Sequence, residues 1–305
     1  MRLALPVLTA SAVLLTGCAA NPDPRLSLSE TSWARTDLWQ QAGDAELFLA
    51  GVYRVADSMQ LPGCGTWCAA AQAMHQAHDT VLTQPDPWGG YAEPTAFAAI
   101  DYGDEAALKQ DLASAAQAAL TADQAGLAAA SPGPETLLWA SLVATANVSV
   151  TFANDQTTTM PTLSPGSVVP SQIDVGSTAD AVAAALDAAN AVIYAATVGA
   201  AQASTSAGLK AALGNTISQT KADRDALQTQ ISASSGTPSP PSLSYPLSAG
   251  VSSDDAVQAS LAPYQASLAN DYVRLAGTMT GQDAVNAAMS VDFAGGTMTW
   301  WPGWD

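Results

Sequence analysis

Between Leu186 and Ala201 the chain reads LDAANAVIYAATVGAA, seven of its sixteen residues alanine, and this texture limits the fold more than any other feature. Alanine is the best helix former because it loses no side-chain entropy on ordering. From Val182 onward, Leu186, Ile193 and Val198 recur at helical spacing and give this run one apolar stripe. The same pattern fills most of the 305 residues. Hydrophobic residues make up 48% and charged ones 12%, so core material is ample, while aromatics supply only 6%. An all-α fold is expected.

Periodicity predicts helices near 36–60, 64–84, 104–131 and 133–153, then near 177–203, 205–235, 252–279 and 281–294. The stretch NDQTTTMPTLSPGSVVPSQIDVGST has no helical pattern and marks the best domain boundary. The expected organisation is an N-terminal helical bundle over 36–153, a linker over 154–176 and a four-helix bundle over 177–305. Ser177-Thr178-Ala179-Asp180 supplies an N-cap with an acid in the first turn. In each half, two helices are followed by a long connection and two more helices, the connections lying near 84–103 and at 236–250. Two hairpins joined by one crossover is the ferritin-like plan.

The N-terminus reads as an export signal. Arg2 precedes an apolar run from Leu3 to Leu15, too short to span a bilayer comfortably. The run closes on Leu15-Thr16-Gly17-Cys18, which looks like a bacterial lipoprotein box. Residues 1–17 are then the signal peptide, Cys18 the lipid attachment point, and 18–35 a tether. A diacylglyceryl group supplies the two acyl chains that stable anchoring needs. No other stretch is read as apolar enough to cross a membrane, so the expected protein is exported, outward-facing and held at the cell membrane through Cys18. The net charge of −18 repels phosphate backbones and argues against a nucleic-acid partner.

With Cys18 lipidated, Cys64 and Cys68 remain, and in an exported protein a structural disulfide is the simplest reading. One helical turn brings their Cα atoms to about 6 Å, within disulfide range. His75 and His78 follow, but a site built from both cysteines and both histidines is excluded on one continuous helix, where Cys64 and His78 would lie about 21 Å apart. The i, i+3 histidine pair can still ligate a metal with a carboxylate such as Glu46 or Asp79. Against this stands the plainer reading of two solvated histidines on a polar helix face.

No glycine-rich phosphate loop, nucleophile elbow or His-Glu zincin helix appears. A hydrolytic triad would have to recruit His75 or His78, with nothing around them to suggest it. The segment TMTWWPGWD places Trp300, Trp301 and Trp304 together, either folded back to cap the bundle or presented as a surface contact. Trp33, Trp39, Trp67, Trp88 and Trp139 are expected in the core or packing loops. Tyr53, Tyr194 and Tyr272 are expected at helix seams with their hydroxyls reaching the ends.

Four pieces, AANAVIYAATVGA (188–200), RDAL (224–227), GTPSPPSLSYPL (236–247) and WPG (301–303), carry a family likeness. Over residues 177–303 the chain resembles a ferritin-like domain family of unknown function found in actinobacterial proteins, often lipoproteins. The resemblance implies a glutamate where Ala189 stands and a histidine near Thr220. Residues 136–305 contain no Glu, His or Cys at all. Ferritin-like di-metal sites need several converging carboxylates and imidazoles, so this half is expected to keep the scaffold without its chemistry. The reading that follows is a non-catalytic binding or structural protein with no cofactor, its partner an envelope protein, a polymer or a small ligand. The alternative is a metal-binding or redox protein whose site, near His75 and His78 and including Glu46, lies in the N-terminal half.

Overall fold

The structure, a computed structural model, describes residues 31–84, 88, 96, 100–166, 170–234, 236–247, 250–291, 293 and 296–304. The expected signal peptide, Cys18 and most of the expected tether lie outside these residues, as does the side chain of Trp33. The chain is all-α. Its helices are α1 (Thr31–Ser58), α2 (Trp67–Thr83), α3 (Glu105–Ala129), α4 (Pro134–Asn154), α5 (Thr178–Ala201), α6 (Ala207–Ala233), α7 (Asp254–Gly277) and α8 (Gly281–Met289). Two three-residue strands, β1 (Thr162–Ser164) and β2 (Thr297–Thr299), complete the described elements.

The helices start where local chemistry starts them. Asp104, Ser177, Ser206 and Ser253 each accept a backbone N–H of the first turn, satisfying donors that a helix start leaves open. Gly133, at φ 137°, followed by Pro134, turns the chain into α4 without needing the proline's missing N–H. α1 packs on α2 and α3, and α3 packs on α4. A side-chain contact from His75 on α2 to Ser149 on α4 closes the ring. α4 is buried nearly all round, from Leu137 and Leu138 to Phe152. Gly126 lets α3 lie directly against the indole of Trp139, where a Cβ would fall 2.5 Å from the ring.

α5 lies between α6 and α7. Its contacts with them form two small clusters, one around Val182, Leu186, Leu227 and Leu275, the other around Val192, Ala196, Leu213 and Leu261. Along α6 only Leu213, Thr220 and Leu227 are buried, a single stripe with a seven-residue period. The fourth helix expected in this half, near 281–294, is the nine-residue α8, and it packs on α3, α4 and α7.

Three sequence expectations change. The stretch expected to be a linker is packed: Met160, Leu163, Ile173 and Val175 lie against the main core, and β1 pairs in parallel with β2, Thr162 opposite Thr297. Trp301 and Trp304 are 4% exposed, so the surface-contact reading of these two fails and they fold back into the N-terminal core, where Trp304 meets Trp88. Trp300 is half-buried against the same core. Asn270 and Arg274 of α7 clamp Gly303 through its N–H and its carbonyl, which fixes the Trp-Pro-Gly turn. Finally, two helices among the described residues, α4 and α5, are long and apolar enough to cross a membrane by length and composition; in the fold their apolar windows are 83% and 61% buried. Alanine, serine and threonine dilute the apolar character of these runs, yet few charges interrupt them.

Candidate metal centre

The disulfide expected from the sequence is present: Cys64 and Cys68 are joined with their Cα atoms 5.0 Å apart. It ties the turn before α2 to that helix's first turn, and both sulfurs are thereby removed from any ligand set. α2 is amphipathic, with Trp67, Cys68, Ala71, Met74, His75, His78 and Leu82 on its buried face. His75 and His78 therefore point into the bundle, each 0% exposed, and the reading of two solvated histidines fails. Facing them from α1 is Glu46, also 0% exposed.

The three side chains converge. His75 Nδ1 lies 2.5 Å and His78 Nδ1 3.1 Å from the same oxygen, Glu46 Oε2. One candidate ligand atom from each residue falls within 4.8 Å of the others. The remaining ring nitrogens are held from behind: His75 Nε2 lies 2.8 Å from Ser149 Oγ, and His78 Nε2 2.9 Å from the carbonyl of Trp300. A carbonyl only accepts, so His78 Nε2 carries a proton and donates it. In the neutral tautomer Nδ1 of His78 is then a bare lone pair aimed at a carboxylate oxygen. Two acceptors face each other at that distance only if a proton or a cation lies between them. Aromatic rings seal the site. Tyr53 stacks on His75 with centroids 5.6 Å apart and planes 7° apart, and Trp301 packs on His78 at 4.7 Å.

Burial alone would raise the pKa of Glu46, but the charges and hydrogen bonds of His75 and His78 outweigh it and hold the carboxyl well below its ordinary range. Asp123 of α3, 0% exposed, goes the other way: burial first, then the charge and contact of Glu46, push it well above the ordinary range. Among the described residues neither oxygen of Asp123 meets an N–H or O–H donor, and Glu46 Oε1 meets none. Burial, with the Glu46 charge adding to it and Ser149 opposing it, raises the Tyr53 phenol, so the hydroxyl stays protonated. That hydroxyl sits beside the site, not at a helix end as the sequence suggested.

Glu46, His75 and His78 were thus named from sequence and are brought together by the fold. Asp123, Ser149 and the Trp300 carbonyl were not. Asp123 had a signal: it occupies the apolar stripe of α3, in register with Leu112, Ala116, Ala119 and Leu127. Ser149 had a fainter one, since Ser141, Thr145 and Ser149 recur every four residues on an otherwise apolar helix. In the C-terminal half, Ala189 is 0% and Thr220 5% exposed, so the positions where the resemblance implies ligands are interior but carry none. A groove of about 650 Å³ lies elsewhere in that half, between α5, α6 and the crossover, lined by Val182, Leu186, Asn190, Ile231, Ser234 and Pro240 among others. No protein family, curated protein or solved structure matches the chain.

Proposed function

We propose that this is an exported, lipid-anchored protein of the cell envelope whose N-terminal helical body holds one transition-metal ion between Glu46, His75 and His78, in a structural and non-catalytic role. The observation that carries the metal is the convergence of two imidazole Nδ1 atoms on one carboxylate oxygen in a dry core, with the far nitrogen of His78 committed to a backbone carbonyl. Metal-ligating histidines are oriented in this way, by a hydrogen bond from the other ring nitrogen. Two imidazoles and a carboxylate suit zinc, iron or manganese and are a poor match for calcium or magnesium. The structural role is supported by closure. All three residues are fully buried, whereas catalytic metal sites keep a position open to water or substrate. Anchoring is supported by the Leu-Thr-Gly-Cys box, and the resemblance of the C-terminal half to a ferritin-like lipoprotein family agrees with it.

The test is metal content of the purified chain by elemental analysis, beside the His75→Ala/His78→Ala variant. About one equivalent in the native protein, absent from the variant, supports the centre; iron in place of zinc, with reversible oxidation, favours the redox reading. Metal-free native protein that neither takes up Zn(II), Fe(II) or Mn(II) nor melts higher with them sinks it. Palmitate labelling that survives Cys18→Ala sinks the anchor.

A further inference from the structure

Asn190 is the single carboxamide in the run from Leu186 to Ala201. Asparagine is a weaker helix former than the alanines on either side of it. Val182, Leu186 and Asn190 recur every four residues, so they share one face of α5, and all three line the groove of about 650 Å³ between α5, α6 and the crossover. Asn190 is 7% exposed, yet no described residue makes a hydrogen bond to its side chain. A buried amide without a partner costs stability, and the opening left to this one is into the groove. The walls are held in place. The Gly236 N–H donates to the Ile231 carbonyl at 3.0 Å and turns the crossover back from the end of α6. Farther along, the Tyr245 hydroxyl donates to Asp187 Oδ1 at 2.9 Å and the Tyr264 hydroxyl donates to the Pro246 carbonyl, tying the crossover to α5 and α7. The groove shares no residue with the metal centre.

We infer that this groove is a binding site for a small uncharged molecule with an apolar body and an amide-type edge, a hydrogen-bond donor beside an acceptor, read by the Asn190 side chain. That side chain offers an acceptor oxygen and two N–H donors. A carboxamide or a lactam meets both kinds at once, through a paired ring of two hydrogen bonds. An ammonium serves the oxygen and leaves the donors bare. An anion serves the donors alone. It also finds no lysine or arginine among the lining residues, and it meets Asp187 on the exposed rim and a net charge of −18. Val182, Leu186 and Ile231 supply the apolar surface for the body of the ligand. The volume falls within the range of small-molecule sites.

The test uses the full chain and three probes that share one two-ring body: 2-naphthamide, 2-naphthoate and 2-naphthylmethylamine, the last cationic at pH 7. Affinities are read by saturation-transfer NMR. The native protein is expected to bind 2-naphthamide at least about tenfold more tightly than either charged probe. Asn190→Leu nearly keeps the size of the side chain and removes its hydrogen bonding. It should weaken 2-naphthamide by about tenfold or more and, without any probe, melt higher than the native chain. Ala183→Phe, on the exposed wall of the groove, should abolish binding. Equal binding of the three probes by the native protein, or no binding of 2-naphthamide, overturns the inference. Native-like binding by either variant overturns it as well. Should Asn190→Leu not fold, the ranking of the three probes on the native protein and its response to Ala183→Phe decide the matter.

Discussion

The N-terminal body and the α5–α7 body are both made of long, alanine-rich helices, yet they bury their residues differently. In the first, one continuous core runs from Leu49 on α1 to Met298 and Trp304, and large rings such as Tyr53, Trp139 and Phe152 fill it. In the second, two small clusters line narrow seams, and most of α6 faces water. Only the first core is deep enough to strip water from Glu46, His75, His78 and Asp123 together. The ferritin-like plan expected from the sequence points to the second body, whereas the buried charge cluster lies in the first. Helical plan and chemistry are separable, and depth of burial decides where a buried charge cluster can matter.

This contrast can be broken or sharpened by five substitutions. The largest effect is expected from His78→Ala, which takes one of two imidazole partners from Glu46 and leaves the Trp300 carbonyl without its donor in the core. Removing one member of a buried pair typically costs about 3–5 kcal/mol, and urea unfolding should register it. Thr220→Ala, at the place near which the resemblance implies a histidine, should cost under ~1 kcal/mol. Comparable losses at the two sites would end the distinction. Next comes Gly126→Ala, which drives a methyl into the immobile Trp139 ring and should cost about 1–3 kcal/mol.

The third involves acid titration, which pulls the two bodies in opposite directions. Glu46 is held below its ordinary value, so its contribution is present above about pH 4.5 and is lost as pH falls. Asp271 on α7 is pushed up to about 6, by burial first and by the nearby Asp187, against Arg274 and Ser267. Its neutral form favours the fold: that advantage is full below its ordinary value of 3.8 and is lost as pH rises through about 6. Asp271→Asn should therefore raise stability at pH 7 by about 1–2 kcal/mol, allowing for the group's partial exposure, and by nothing below pH 4. Thermal melts of both proteins at pH 7 and pH 3.5 check the sign. The smallest effect is Gly214→Ala on the open side of α6, where a Cβ meets no atom within 4 Å. It should stabilise by roughly 0.5–1 kcal/mol, the opposite sign to Gly126→Ala.

Helix positions were legible because alanine propensity and apolar spacing agree along the chain; α3, expected near 104–131, spans Glu105–Ala129. The disulfide followed from a one-turn spacing. What escaped was everything set by contacts distant in sequence. Nothing local to Thr162 announces its pairing with Thr297, and no side chain marks Trp300 as the residue whose carbonyl orients His78. α8 read as the fourth member of the C-terminal bundle because it follows α7 in the chain, whereas its apolar face meets α3 and α4. Asp123 escaped for another reason: a lone acid in an apolar stripe is legible as an anomaly, but only the fold shows which neighbour it faces.

The hydrogen bond from His78 to Trp300 spans 222 residues. Contacts of such separation form late, because the entropy of closing the loop comes before any reward. A nascent chain that has made α1 and α2 already carries Glu46 and both histidines, but it cannot seal them until residue 300 has been synthesised and laid across α2. On the proposed metal reading, the ion present when that segment docks is the one the protein keeps. On the proposed export of the chain before it folds, the choice falls to the medium outside the membrane and not to the metal pools of the cytoplasm.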